Sequence, residues 1–177
     1  MMRKTRNIMA TAVCLVGLGI TVWAATSIFL VTNASIAHSS FFGGPATMTV
    51  RELTLAPGET TPWHRHPGAV LVAVKSGTLT REVGCGGAAT YTGGQAFEEF
   101  GQDVHRAMNP GSEPAVVYDV FIIPEGLPST ILTPNNERLC GPPASVGSCR
   151  NGGWTNFTFP RLFDNQGDCQ QFVITGK

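Results

Sequence analysis

Apolar and polar positions alternate along several short stretches of this chain. Residues 47–55 (TMTVRELTL) alternate and are rich in β-formers, which predicts a strand with one buried face. Ala69 to Val74 is a continuous apolar run, the pattern of a strand buried on both faces. Thr78 to Val83 alternates again, Ala96 to Phe100 reads as a fourth strand, and residues 115–123 (AVVYDVFII) carry the strongest strand signal. Turn residues stand between these stretches: Ala56-Pro57-Gly58, Lys75-Ser76-Gly77, Gly84 to Gly87, and Tyr91-Thr92-Gly93-Gly94. No stretch beyond the N-terminus carries a helical period. Short strands punctuated by Gly and Pro at intervals of roughly 8–12 residues predict an all-β sandwich or barrel. The pattern places it at residues 38–126, with 127–177 as an extension rich in Pro, Asn and Gly.

The N-terminus follows a different rule. Arg3, Lys4 and Arg6 precede an uncharged stretch from Ile8 to Val31, and Ala34-Ser35-Ile36-Ala37 places small residues where a signal peptidase reads them. This is the layout of an export signal, residues 1–37. The apolar stretch is longer than the roughly 7–15 residues of an ordinary signal core. It is long enough to span a bilayer, so an uncleaved membrane-anchoring helix is the alternative. Either reading sends the domain out of the cytoplasm, periplasmic, secreted or anchored, and confines membrane contact to this segment.

Composition sharpens the picture in two ways. Basic and acidic residues balance at twelve each over 177 residues. Without the first 37 residues nine basic and twelve acidic groups remain, a net charge of −3. Nothing in that balance suits nucleic acid, which calls for a basic face. Cys14 lies in the apolar stretch, which leaves Cys85, Cys140, Cys149 and Cys169, an even number suited to an oxidising compartment. Three pairings are open. Cys149 with Cys169 is favoured because both lie in the tail, and Cys85 would then tie the tail to the barrel through Cys140. A zinc site is the rival, disfavoured because no Cys-x-x-Cys spacing occurs and the tail has no histidine.

Candidate chemistry rests on three histidines. His64 and His66 stand at i and i+2, so in a strand both rings face one side. His105 follows after two or three further strands, and a barrel wall can bring it opposite the pair. Neutral imidazole suits a divalent transition metal, Fe, Mn, Zn, Cu or Ni.

These residues carry a resemblance to the cupin superfamily. The first cupin motif has a glycine, five residues, His-x-His, then a glutamate and a closing glycine. Here Gly58, His64, His66 and Gly77 are all in register. The second motif is degenerate: Gly94, His105 and Asn109 match, while Phe100 stands where proline is usual and Gln102 where glycine is. The resemblance covers Thr47 to Gly126 and implies a single double-stranded β-helix, or jelly-roll, barrel with a metal site. It departs at one ligand: the cupin glutamate would fall at position 70, which is Val70. Three readings follow: three histidines hold the metal alone, Glu98 or Glu99 fills in, or the metal site has been lost. Glu99 is preferred because it shares the parity of Phe97. Asn109 is read as structural, tying a turn at a strand end. Trp63 is read as packing at the rim, and Phe97, Phe100, Tyr118 and Phe121 as pocket-lining or core residues.

The resemblance further implies a small-molecule ligand or substrate, oxygenase, lyase or isomerase chemistry at a three-histidine metal centre, and a possible homodimer. A non-catalytic ligand-binding or sensor barrel is the alternative. The tail pattern Cys-x-Asn-Gly-Gly-Trp followed by Asn-Gln-Gly-Asp-Cys resembles a short module at the C-termini of bacterial exported proteins. Such a module could make the chain an interaction protein. It is too small to stand without a disulfide.

Overall fold

The computed structural model describes residues 27–100 and 102–177. The basic start, Cys14 and most of the apolar N-terminal stretch lie outside the described residues. Two antiparallel five-stranded sheets face each other. One runs β1 (Ser27–Ser39), β2 (Gly44–Leu55), β9 (Ala115–Pro124), β4 (Ala69–Ser76), β7 (Ala96–Glu99) in spatial order. The other runs β10 (Ile131–Leu132), β3 (His64–Arg65), β8 (His105–Met108), β5 (Thr78–Val83), β6 (Ala88–Thr92). The architecture is the all-β one that the strand pattern predicted, and its two sheets are consistent with the jelly-roll barrel that the resemblance implied. No helix among the described residues is long and apolar enough to cross a membrane.

The core lies where the alternating faces meet. Along β9 burial alternates without a break, so Ala115, Val117, Asp119, Phe121 and Ile123 all point inward. They pack with Leu53 and Leu55 of β2, Val70, Val72 and Val74 of β4, and Leu79 of β5. Asp119 is the one charged member of the β9 series. Gly58, Gly77 and Gly94 all take positive φ, of 78°, 77° and 88°. At Gly77 a side chain would also collide with the chain beyond, since a Cβ would sit 2.5 Å from the Pro114 carbonyl oxygen.

Asn109 sits just past β8 and has no exposed surface. Its Nδ2 donates to the Leu55 and Glu113 carbonyls at 2.9 and 2.8 Å, and its Oδ1 accepts from Gly111 N at 2.9 Å. Replacing it with alanine is expected to destabilise the barrel by about 1–3 kcal/mol, because buried carbonyls lose their donor. Chemical denaturation of Asn109→Ala against the parent checks this; an unchanged midpoint would show the turn to be held by other bonds.

The structure also departs from the strand pattern. β1 begins inside the apolar stretch and runs through Ala34–Ala37, pairing with β2 from Ser27↔Thr54 to Ser39↔Gly44. It was not predicted because an uncharged run before a small-residue signature reads as a leader. β6 takes in Tyr91 and Thr92, which the glycines beside them marked as turn; they pair with Leu79 and Thr78. β10 adds a strand to the second sheet beyond residue 126.

The tail corrects the expectation of no helix. Gln166–Thr175 is an α-helix, α1, whose N-cap Asn165 accepts from Asp168 N and whose C-cap Gly176 is left-handed. It lacks an apolar stripe because it is held by its caps and by Cys169. Its acidic first turn is clamped by Arg161, which pairs with Asp168 at 2.7 Å. Cys149 bonds Cys169 and Cys85 bonds Cys140, the pairing favoured from position. Around the first of these pack Phe157, Phe163, Trp154 and Phe172. The second ties the tail to the loop after β5.

Candidate metal centre

His64 and His105 lie directly opposite each other across the β3–β8 ladder. That pairing sets their rings 4.6 Å apart, and His66, one residue past β3, adds a third ring 4.9 and 5.0 Å from the other two. All three are buried, and one nitrogen from each lies within 4.8 Å of the others.

The backbone fixes what these rings present. Nδ1 of His64 faces the Pro62 carbonyl at 2.7 Å, Nδ1 of His66 the Ser129 carbonyl at 2.6 Å, and Nδ1 of His105 the Asp103 carbonyl at 2.7 Å. A carbonyl can only accept, so each Nδ1 carries the proton and donates it. Each Nε2 is then left with its lone pair directed into the barrel. This is the arrangement of a histidine that holds a metal through one nitrogen and is oriented through the other. Burial, reinforced by the neighbouring His105, pushes the His64 pKa down to about 4, so its ring is neutral at ordinary pH.

Glu99 closes the cluster. Its Oε2 lies 3.4 Å from His66 Nε2 and its Oε1 3.2 Å from His105 Nε2, with Arg81 Nε at 3.0 Å from Oε1. Lone pairs and a carboxylate converging at this distance repel unless a cation lies between them. The His105 contact is within ion-pair range yet off hydrogen-bond geometry, and Nε2 is a buried nitrogen without a hydrogen-bond partner among the described residues. Such an orphaned donor set fits a divalent metal.

Val70, at the position of the cupin glutamate, pairs directly with Glu99 across the β4–β7 ladder. The carboxylate therefore reaches the same part of the barrel from the neighbouring strand. Glu98 points away and is exposed. Arg106 pairs with Glu82 rather than with either glutamate of β7.

The histidines and Glu99 open into a small cavity of about 30 Å³. Its walls include Arg51, Thr61, Phe97, Asp119 and Phe121. Phe97 and Phe121 thus line it as expected. Phe100 is exposed beside Phe41, and Tyr118 lies outside against Lys75. Trp63 is buried beneath the guanidinium groups of Arg106 and Arg138, 4.8 and 5.5 Å from its ring. Arg51 and Asp119 were not among the candidates. The signal was an aspartate in an inward position of the most apolar strand.

The cupin-domain family model matches residues 51–121. No curated protein matches the chain. Among solved structures, the chain resembles an uncharacterized double-stranded β-helix protein from Klebsiella pneumoniae at 22% identity and TM-score 0.49. That match covers 62% of this chain and 85% of the other. A cupin superfamily protein from Desulfitobacterium hafniense is 11% identical over 56% of this chain and 81% of its own, with TM-score 0.41. A DMSP lyase, DddQ of Ruegeria pomeroyi, is 12% identical over 62% of this chain and 52% of its own, with TM-score 0.46. The cupin-domain match and the double-sheet topology agree: residues 51–121 are a cupin domain.

Proposed function

We propose that this is an exported metalloprotein in which His64, His66, His105 and Glu99 hold one divalent transition metal, and that it is an enzyme acting there on a small molecule. The observation that carries the reading is the set of three Nδ1–carbonyl bonds, which commits three Nε2 lone pairs to one buried point beside a carboxylate. A metal so held is a Lewis acid that polarises a bound carbonyl or activates water, or O₂ chemistry if it is Fe. The protein's own part is to hold the ligands: three carbonyls fix the rings, and Arg81 fixes Glu99. Export is supported by the two disulfides, which persist in an oxidising compartment.

Elemental analysis of the purified chain tests the proposal. One Fe, Mn, Zn, Cu or Ni per chain, lost to a chelator and regained on dialysis, is the expected result. No metal after reconstitution would overturn it. Metal with an exchangeable water, seen by water-proton relaxation after Mn(II) substitution, supports an enzyme. A coordinatively closed metal supports a ligand-binding or sensor barrel.

A further inference from the structure

The cavity carries a cation that the metal centre does not use. Arg51 of β2 lies directly across the ladder from Asp119 of β9, and its Nε donates to Asp119 Oδ2 at 2.8 Å. Its guanidinium carbon sits 4.4 Å from the centre of the Phe121 ring. The other neighbour of that ring is His66, 5.3 Å away. Phe121 therefore touches both the guanidinium and His66, and all three line the same cavity. These contacts hold the guanidinium by Nε and by one face. Among the described residues neither terminal nitrogen, Nη1 nor Nη2, has a hydrogen-bond acceptor. The side chain is 21% exposed and lines the cavity, so a ligand can reach those nitrogens.

Charge and shape select the ligand. Arg51 offsets Asp119, and Arg81 offsets Glu99, so the protein groups around the cavity cancel. A divalent metal bound to neutral imidazoles then leaves the cavity positive. Two parallel N–H groups on a planar fork match a carboxylate or a phosphate better than a single charge does, and the small, partly apolar cavity favours the smaller, less heavily charged carboxylate. Thr61 adds a hydroxyl; its oxygen already accepts from Ala107 N at 2.9 Å, so its proton is free to donate. The remaining walls, among them Leu53, Val72, Leu79 and Val117, are apolar, and the volume is small.

We infer that Arg51 is the carboxylate anchor of the site and that the ligand is the anion of a small organic acid. Its carboxylate lies on Nη1 and Nη2 and its other end reaches towards the histidines. The role given to that other end rests on the metal reading above; the anchoring by Arg51 does not.

The test is binding of acetate, oxalate, malonate and inorganic phosphate to the full chain, with and without metal, by calorimetry and thermal shift. At least one carboxylate is expected to bind saturably and more tightly than phosphate. Arg51→Lys keeps a charge beside Asp119 but removes the fork, and is expected to weaken that binding by about tenfold to a hundredfold. Its metal content should equal that of the parent. Replacing Arg51 and Asp119 together by leucine removes the pair without leaving a buried charge, and should show the same loss. No carboxylate binding, equal binding by parent and both variants, or tighter binding of phosphate would overturn the inference. If the parent holds no metal, the same comparison on the metal-free chain decides the role of Arg51 separately.

Discussion

Replacing His66 with alanine is expected to weaken metal binding by more than about a hundredfold, since loss of a mere orienting partner already costs 10–100-fold. His66 contributes twice. Its Nε2 is one of three that converge, and it lies 3.4 Å from Glu99 Oε2. Its Nδ1 also supplies the donor for the Ser129 carbonyl, which is lost with the ring. Glu99→Gln is the milder companion. It keeps the shape, removes the charge and leaves Arg81 without its carboxylate, so its affinity should fall between parent and His66→Ala. Competition against a chromophoric chelator measures all three proteins on one scale. Equal affinity in parent and His66→Ala would remove the histidine cluster from the metal site.

Replacing Cys149 and Cys169 together by serine is expected to unfold the tail while the barrel persists. Closing a loop of this length contributes about 3 kcal/mol in the chain-entropy account. The tail's own core has four buried residues, and these two cysteines are its most buried members, so little else can compensate. The barrel core shares no member with it, which predicts separable behaviour. Limited proteolysis should trim the variant beyond about residue 140 and leave the parent intact. The trimmed barrel, still tied through Cys85–Cys140, should retain its metal. A variant as resistant as the parent would mean that α1 and its aromatic neighbours hold without the bond.

Much of this was legible because period-two burial writes itself into sequence. The alternation along residues 115–123 and the apolar run of β4 named most of the core. His64 and His66 were legible from spacing, and Glu99 from parity with Phe97. What escaped was set by partners distant in the chain. β6 and β10 are strands because neighbouring strands pair with them, against the local pull of glycine and proline. α1 escaped because its caps and a disulfide, not an apolar stripe, hold it. Arg51 and Asp119 look like one surface charge and one oddity until the register places them face to face inside the barrel.

The Ser129 carbonyl that orients His66 lies 63 residues further along the chain. A chain that emerges from its N-terminus presents all three histidines well before that carbonyl exists. Until then the His66 ring can carry its proton on either nitrogen, and Nε2 is not committed to a lone pair. In a chain that folds as it emerges, His64 and His105 have their carbonyls, of Pro62 and Asp103, close at hand, and His66 is the last of the three rings to be oriented. If the site takes a metal and the chain is exported, as proposed above, loading would follow translocation, and the ions at hand outside the cytoplasm would decide which metal it receives.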